Sequence, residues 1–358
     1  MERFGFVGLP NSGKSSLYNA LTGSDALAAP YAFATIDSNV GVAKVSDPRL
    51  GVLGKLSGSR VVTSASVQFI DIGGLVEGAS RGEGLGNRFL AGIREVDAVV
   101  YVLRAFVAED VPGLSDPLEH LRILELELTL ADLETVENRL VKRRKAVIQD
   151  SSLGSEVAAL EAALGVLSDG TPIYRSHLSD AQRAALQESF LLTNRPVLAV
   201  VNVGEDQLGH TSEVVAPVAA ELAGQAVVMA VCVQLESEAA QFSADERAEV
   251  LQGLGLGQGA LGRFSHAAYD LLGLRTFFTT GEKETRAWTF RLGALAPEAA
   301  GRIHSDFQRG FIRADVISCQ ELLSAGGWVQ AKEQGLLRTE GKDYAVVDGD
   351  VMEFRFNV

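Results

Sequence analysis

The strongest chemical signal lies near the start of the chain. Gly8-Leu9-Pro10-Asn11-Ser12-Gly13-Lys14-Ser15 matches G-x-x-x-x-G-K-[ST] without a mismatch, after an apolar strand pattern and before a helical one. Glycines in such a run let successive backbone N–H groups curve around phosphate oxygens, and the helix start adds its positive end. Lys14 would reach the β- and γ-phosphates, and the Ser15 hydroxyl would ligate Mg²⁺. Asp71-Ile72-Gly73-Gly74 supplies a second element. Its carboxylate can hold Mg²⁺ through water, and the Gly74 N–H can sense a γ-phosphate. Alone, D-x-x-G is weak, because glycine turns follow many strands; beside a phosphate loop it becomes strong. Lys14, Asp71 and Gly74 are therefore the expected catalytic set. Thr35 sits in a stretch without helical periodicity, where a hydroxyl could complete the Mg²⁺ shell. By itself it would be a solvated turn residue.

The base-reading position departs from the guanine pattern. Guanine is read by Asn-Lys-x-Asp, whose carboxylate accepts from the ring N1–H and the 2-amino group. No asparagine of this chain precedes a lysine, and the candidate at a strand end is Asn202-Val203-Gly204-Glu205. A longer Glu cannot take the same bidentate place. The residues argue against strict guanine specificity without proving adenine.

Positioning these residues requires a sheet. Arg3 to Leu9, Val67 to Ile72, Asp97 to Leu103, Pro196 to Val201 and Ala226 to Val233 read as buried strands. Continuous Val/Ile/Ala runs between helical patterns predict a doubly wound parallel sheet covered on both faces. Between the third and fourth of those strands the texture changes. Leu126, Leu130, Leu133, Leu140 and Val147 form a heptad seam, Gln149 to Ser155 a turn, and Val157, Leu160, Leu164 and Leu167 a second helical stripe. That predicts an inserted antiparallel helical hairpin; long surface helices of one domain are the alternative. Ser179 with Gln182 reads as a capping box. Near the end, Trp288, Phe290 and Leu292 alternate with polar neighbours, as do Met352, Phe354, Phe356 and Val358. Pro297 opens a helix whose one face carries Ala300, Ile303 and Phe307. A small α+β domain follows.

Composition narrows the class. The chain has 358 residues, enough for two or three domains, and a net charge of -14. Bulk charge therefore does not hold it on nucleic acid, and RNA contact needs a local basic patch. The best one is Arg139, Lys142, Arg143, Arg144 and Lys145 on the hairpin; a solvated helix face is the plainer reading. Two cysteines, Cys232 and Cys319, exclude a disulfide scaffold and fit a cytoplasmic chain. No stretch reads as a membrane helix.

Taken together, GLPNSGKSSLYNALTG, FATIDSNVGV, DIGGLVEGASRGEGLGNRFL and NVGE closely resemble the YchF family of Obg-related P-loop proteins. Residues 277–317 and 340–358 resemble that family's TGS domain, a ubiquitin-like β-grasp module. The resemblance implies three parts: a P-loop domain at 1–127 with 193–272, a helical insert at 128–192 and a TGS domain at 273–358. It implies an ATPase marked by Asn-x-x-Glu and associated with ribosomes. By position, the phosphates fall to Asn11, Ser12, Gly13, Lys14, Ser15 and Ser16, Mg²⁺ to Ser15 and Thr35, and the base to Asn202, Val203 and Glu205.

Three departures from the family pattern matter. The family often carries a histidine in the loop corresponding to 107–116, which has none here; His120, already on a helix, is expected to be solvated. The family's Ser/Cys-Ala-Lys base contact stands here as Cys232-Val233-Gln234. Position 73 is glycine, which loosens that turn. Leu75, where many GTPases carry a water-orienting glutamine, cannot hydrogen-bond water, so hydrolysis should be slow and externally assisted. Asn11 resembles the asparagine that helps hold K⁺ in related enzymes; a solvated loop amide is the alternative. Lys14 is expected to be exposed in the empty loop. The leading reading is a nucleotide switch on the ribosome. The rival is a scaffold that holds ATP with negligible turnover.

Overall fold

The computed structural model describes all residues except 24–39, 73–84, 109–110, 243, 255, 257–258 and 358; the side chains of 85–89, 244, 245 and 248 also lie outside that description. The chain divides into two units, residues 1–43 with 68–267, and 44–67 with 268–358. Among the described residues the strands are β1 (Arg3–Val7), β2 (Val40–Val45), β3 (Val61–Thr63), β4 (Ala65–Asp71), β5 (Ala98–Arg104), β6 (Val197–Asn202), β7 (Val227–Val231), β8 (Leu274–Thr279), β9 (Glu284–Arg291), β10 (Phe311–Ser318), β11 (Arg338–Glu340) and β12 (Asp350–Phe356).

The first sheet has the order β2-β4-β1-β5-β6-β7. β1 pairs in parallel with β4 on one side and β5 on the other, and β5-β6 and β6-β7 are parallel too. The winding reverses at β1, so the crevice at its carboxyl end is where such sheets bind ligands. Register brings the chemistry there: Phe6 pairs with Asp71, and Arg104 with Asn202. Every residue of β5 and β6 is buried, which is why their sequences run apolar without alternation. Phe4, Phe6, Phe69 and Phe264 stack through one side of the core, with ring centroids 5.3–6.1 Å apart.

The expected hairpin forms from helices Pro117–Ala146 and Gly154–Ser168. The predicted seam holds at Leu133 and Leu140, which meet Val157, Leu160, Leu164 and Leu167, and fails at Leu126, which is exposed. Leu121, Leu124, Leu128 and Ala131 pack on the sheet, while Val136 and Leu140 join Leu160, Ala163 and Leu167 in a separate core. One 30-residue helix thus changes partners midway, and its buried stripe slips phase where it does. The same helix crosses residues 127 and 128 without a break. The Ser179–Gln182 capping box is present.

The second unit carries a sheet of order β11-β10-β12-β8-β9-β3. β8 and β9 form an antiparallel hairpin, β12 lies parallel to β8, and β10 runs antiparallel to β12. Helix Ala296–Ile303, opened by Pro297, sets Ala296, Ala299 and Ala300 against Phe277 and Phe290. This is the β-grasp topology. Residues 44–67, expected in the P-loop domain, belong to this unit, because β3 pairs in parallel with β9. Of the expected alternating residues, Phe290 and Met352 are buried and Leu292 is exposed.

Candidate nucleotide-binding site

β1 ends at Val7, and the chain turns through residues 8–13 into helix Lys14–Thr22. Two residues of the turn are left-handed, Asn11 at φ 60° and Gly13 at φ 94°. Gly13 is obligatory for a second reason: a Cβ there would lie 2.2 Å from the Asn202 amide nitrogen. No side chain caps the helix, and no acidic residue sits in its first turn. Its free N–H groups are therefore available to an anion.

Lys14 is buried, contrary to expectation. Its ammonium donates to the Leu9 carbonyl at 2.9 Å. Burial holds it below the ordinary lysine range, and the nearby Asp71 carboxylate opposes that shift. The Ser15 hydroxyl donates to Asp71 Oδ2 at 2.7 Å. Ser12 is fully buried and its Oγ has no partner among the described residues. Ser16 opens the exposed side of the helix.

Asn202 works as a staple. Its Nδ2 donates to the Ser12 carbonyl at 3.0 Å, and its Oδ1 accepts from the Val233 N–H at 3.2 Å. It joins the phosphate loop to the helix Val233–Ala239 that follows β7. Val203 is buried and donates its N–H to Val231, while Glu205 is exposed at the start of a short 3₁₀ turn. Cys232 is buried, which pushes its thiol up, and the Gln234 amide turns to Glu238. Thr35, Gly74 and Leu75 lie outside the described residues.

Three residues matter here that sequence reasoning missed or misjudged. His120 is 1% exposed rather than solvated: Nδ1 accepts from the Arg104 N–H and Nε2 donates to the Leu114 carbonyl at 2.8 Å. Burial keeps it below the usual histidine range, so this neutral tautomer is the working one. Gln207 bridges the Gly204 N–H and the Ala105 carbonyl. Arg104 is buried and bonds the loop that follows it. Their signal in the sequence was position: each stands at or just after a strand end, or at a helix start.

The basic patch is largely paired. Arg139 and Arg143 both reach Glu156, and Arg144 reaches Glu161 at 2.8 Å; Lys142 and Lys145 are exposed. Five positive charges in sequence are fewer free charges in space.

A strand that turns through a left-handed asparagine into an uncapped helix, where a parallel sheet reverses its winding, is how P-loop proteins hold a phosphate chain. The chain is of that class. A family model described as 50S ribosome-binding GTPase matches residues 3–150, and the YchF-GTPase C-terminal model, described as a protein of unknown function, matches 274–357. The chain is 45% identical to the ribosome-binding ATPase YchF of Bacillus subtilis and 43% identical to that of Escherichia coli O157:H7, each over 99% of both chains. The solved Schizosaccharomyces pombe YchF GTPase superposes with a TM-score of 0.86 at 30% identity, covering 99% of this chain and 97% of that one. The chain belongs to the YchF family.

Proposed function

We propose that the chain is a cytoplasmic, ribosome-associated nucleotide switch that binds ATP in preference to GTP, with Mg²⁺, and hydrolyses it slowly. The observation that carries this reading is the Ser15–Asp71 pair beside a buried Lys14 at an uncapped helix start. Full-length bacterial relatives named ribosome-binding ATPases support the ribosome and the ATP.

The residues fit Mg²⁺: Ser15 Oγ and an Asp71 carboxylate oxygen are hard oxygen donors side by side, and the Ser12 hydroxyl is an orphan facing the same loop. Thr35 would add a further hydroxyl. When bound, Mg²⁺ neutralises charge on the β- and γ-phosphate oxygens. The Lys14 ammonium has three donors, so it can keep Leu9 and still serve phosphate oxygens. The free N–H groups of residues 13–16 take the rest of the phosphate charge, and Gly74 senses the γ-phosphate. At the base, Asn202 is spent on the staple, so discrimination falls to Glu205 and the segment from Cys232. Glu205 cannot repeat the bidentate guanine contact of an aspartate. Leu75 cannot orient water, so turnover waits on charge from K⁺ at Asn11 or from a ribosomal partner. The second unit is a TGS domain, and Lys142 and Lys145 head the surface offered to rRNA.

Titration with ATP and GTP tests the base: ATP should bind at least about tenfold more tightly, and tighter GTP would reverse the assignment. Single-turnover hydrolysis in Na⁺ and in K⁺, with and without ribosomes, tests the switch. Slow turnover that ribosomes accelerate is expected; fast turnover in Na⁺ alone would sink the idea. Turnover that neither K⁺ nor ribosomes raise would favour the scaffold.

A further inference from the structure

The phosphate loop is clamped from two neighbouring strand ends. Asn202, ending β6, holds the Ser12 carbonyl directly. Arg104, ending β5 and paired with Asn202 in register, reaches the loop through a third party. Its guanidinium donates to the carbonyls of Phe106 at 3.1 Å, Val111 at 3.0 Å and Pro112 at 3.2 Å, and lies over the Phe106 ring at 4.5 Å. The Pro112 oxygen also accepts from the Asn11 amide at 3.2 Å. Asn11 is the non-glycine residue that the loop holds left-handed.

We propose that Arg104 is a positioning residue for the phosphate loop, holding the Pro112 carbonyl where it locks the Asn11 side chain and so fixes the left-handed turn that aims the loop's N–H groups. The inference rests on the nucleotide-binding reading of that loop. Three features converge on it. Arg104 is 2% exposed, and a buried guanidinium is tolerated only when its donors are satisfied; here backbone carbonyls satisfy them. The planar fork reaches three carbonyls at once, which a lysine's point charge cannot do. His120 holds the same strap further along, at Leu114, and Gly113 at φ 123° lets the chain wrap the guanidinium. Asn11 favours the left-handed region only weakly on its own, so a hydrogen bond to its side chain has a conformation to select.

The test is a double-mutant cycle in the full-length chain: wild type, R104M, N11G and R104M/N11G, read as ATP dissociation constants. With Asn11 present, R104M should weaken ATP about tenfold; in the N11G background, where the turn needs no lock, the further loss should be about twofold or less. Equal losses in both backgrounds would mean Arg104 serves only the stability of the domain, and no loss would also overturn the proposal. R104K, which keeps the charge without the fork, should fall between wild type and R104M, and it replaces R104M in the cycle if that variant does not fold. Amide exchange at residues 11–16 reads the same cycle without nucleotide. R104M should lower protection there only when Asn11 is present. A wild type that bound no ATP would overturn the functional reading, and the exchange pattern would still decide this inference.

Discussion

The phosphate loop and the root of the helical hairpin treat buried polar groups in opposite ways. At the root, Asp132 is 1% exposed and accepts from the Leu192 N–H, the Thr193 N–H and the Thr193 hydroxyl at 2.7–2.8 Å. Glu125 is shared between Tyr174 and Arg175, and Arg175 goes on to Glu221. Both carboxylates are matched to donors inside the chain, although the buried Thr129 hydroxyl between them has no partner among the described residues. At the phosphate loop, the Ser12 hydroxyl is orphaned and the helix start is uncapped. An orphaned hydroxyl therefore does not by itself mark a ligand site; what sets the phosphate loop apart is the uncapped helix start beside Ser12.

The largest effect should come from breaking the matched joint. Asp132→Ala strips the acceptor from two buried N–H groups and should cost on the order of 3 kcal/mol of stability. Urea unfolding measures that loss. ATP affinity, titrated on the folded variant, should stay within about twofold; a parallel loss of affinity would erase the contrast between the two regions.

The same carboxyl gives the joint a pH signature. Burial pushes Asp132 up to about 6, above its unfolded value near ~3.9. A raised carboxyl binds its proton more tightly in the native state. Its contribution is therefore fully present below about pH 4 and is lost as pH rises through about 6. Unfolding free energies of wild type and Asp132→Asn across that window should differ in slope. Parallel curves would show that Asp132 does not titrate there.

At the unmatched site the order reverses. Lys14→Ala should weaken ATP by about 100-fold, since its ammonium bonds charged oxygens. Stability should change little, because a desolvated charge leaves with the hydrogen bond to Leu9. Calorimetric titration paired with a melting curve checks both; unchanged affinity would remove the phosphate loop from nucleotide binding.

The smallest effect belongs to the hairpin surface. Reversing Arg143, Arg144 and Lys145 to glutamate should lower the salt slope of ribosome association by about 0.7 to 0.9 for each phosphate no longer neutralised. The broken Arg144–Glu161 pair should cost under about 1 kcal/mol, as exposed ion pairs do, and the partly buried Arg143–Glu156 pair more. Identical cosedimentation across a salt series would leave this face solvated.

Local chemistry was legible in the sequence where one residue type has one use. The glycine loop, the capping box at Ser179 and the apolar runs of β1, β5 and β6 are of that kind. What the sequence hid depends on partners distant along the chain. The helical stripe from Leu121 changes phase at Val136 because the sheet gives way to the return helix. His120 looked solvated because its partners are backbone groups that no local pattern marks, the Arg104 N–H at the end of β5 and the Leu114 carbonyl of the loop that follows. Lys14 looked exposed because its acceptor is a carbonyl of its own turn. Five basic residues looked free because Glu156 and Glu161 come from the facing helix.

Strand β3 has a consequence for how the chain is made. Its partner β9 begins at Glu284, and Arg60 and Ser59 bond Glu282 and Gly281. During synthesis the segment 44–67 emerges long before any of these. Until then β3 is an unpaired edge, and Leu50 and Leu53, buried in the finished protein, stay in water. Pairing strands more than 200 residues apart is slow by topology alone. A chain truncated before β9 would leave β3 without its partner even though the residues of the nucleotide site are already encoded.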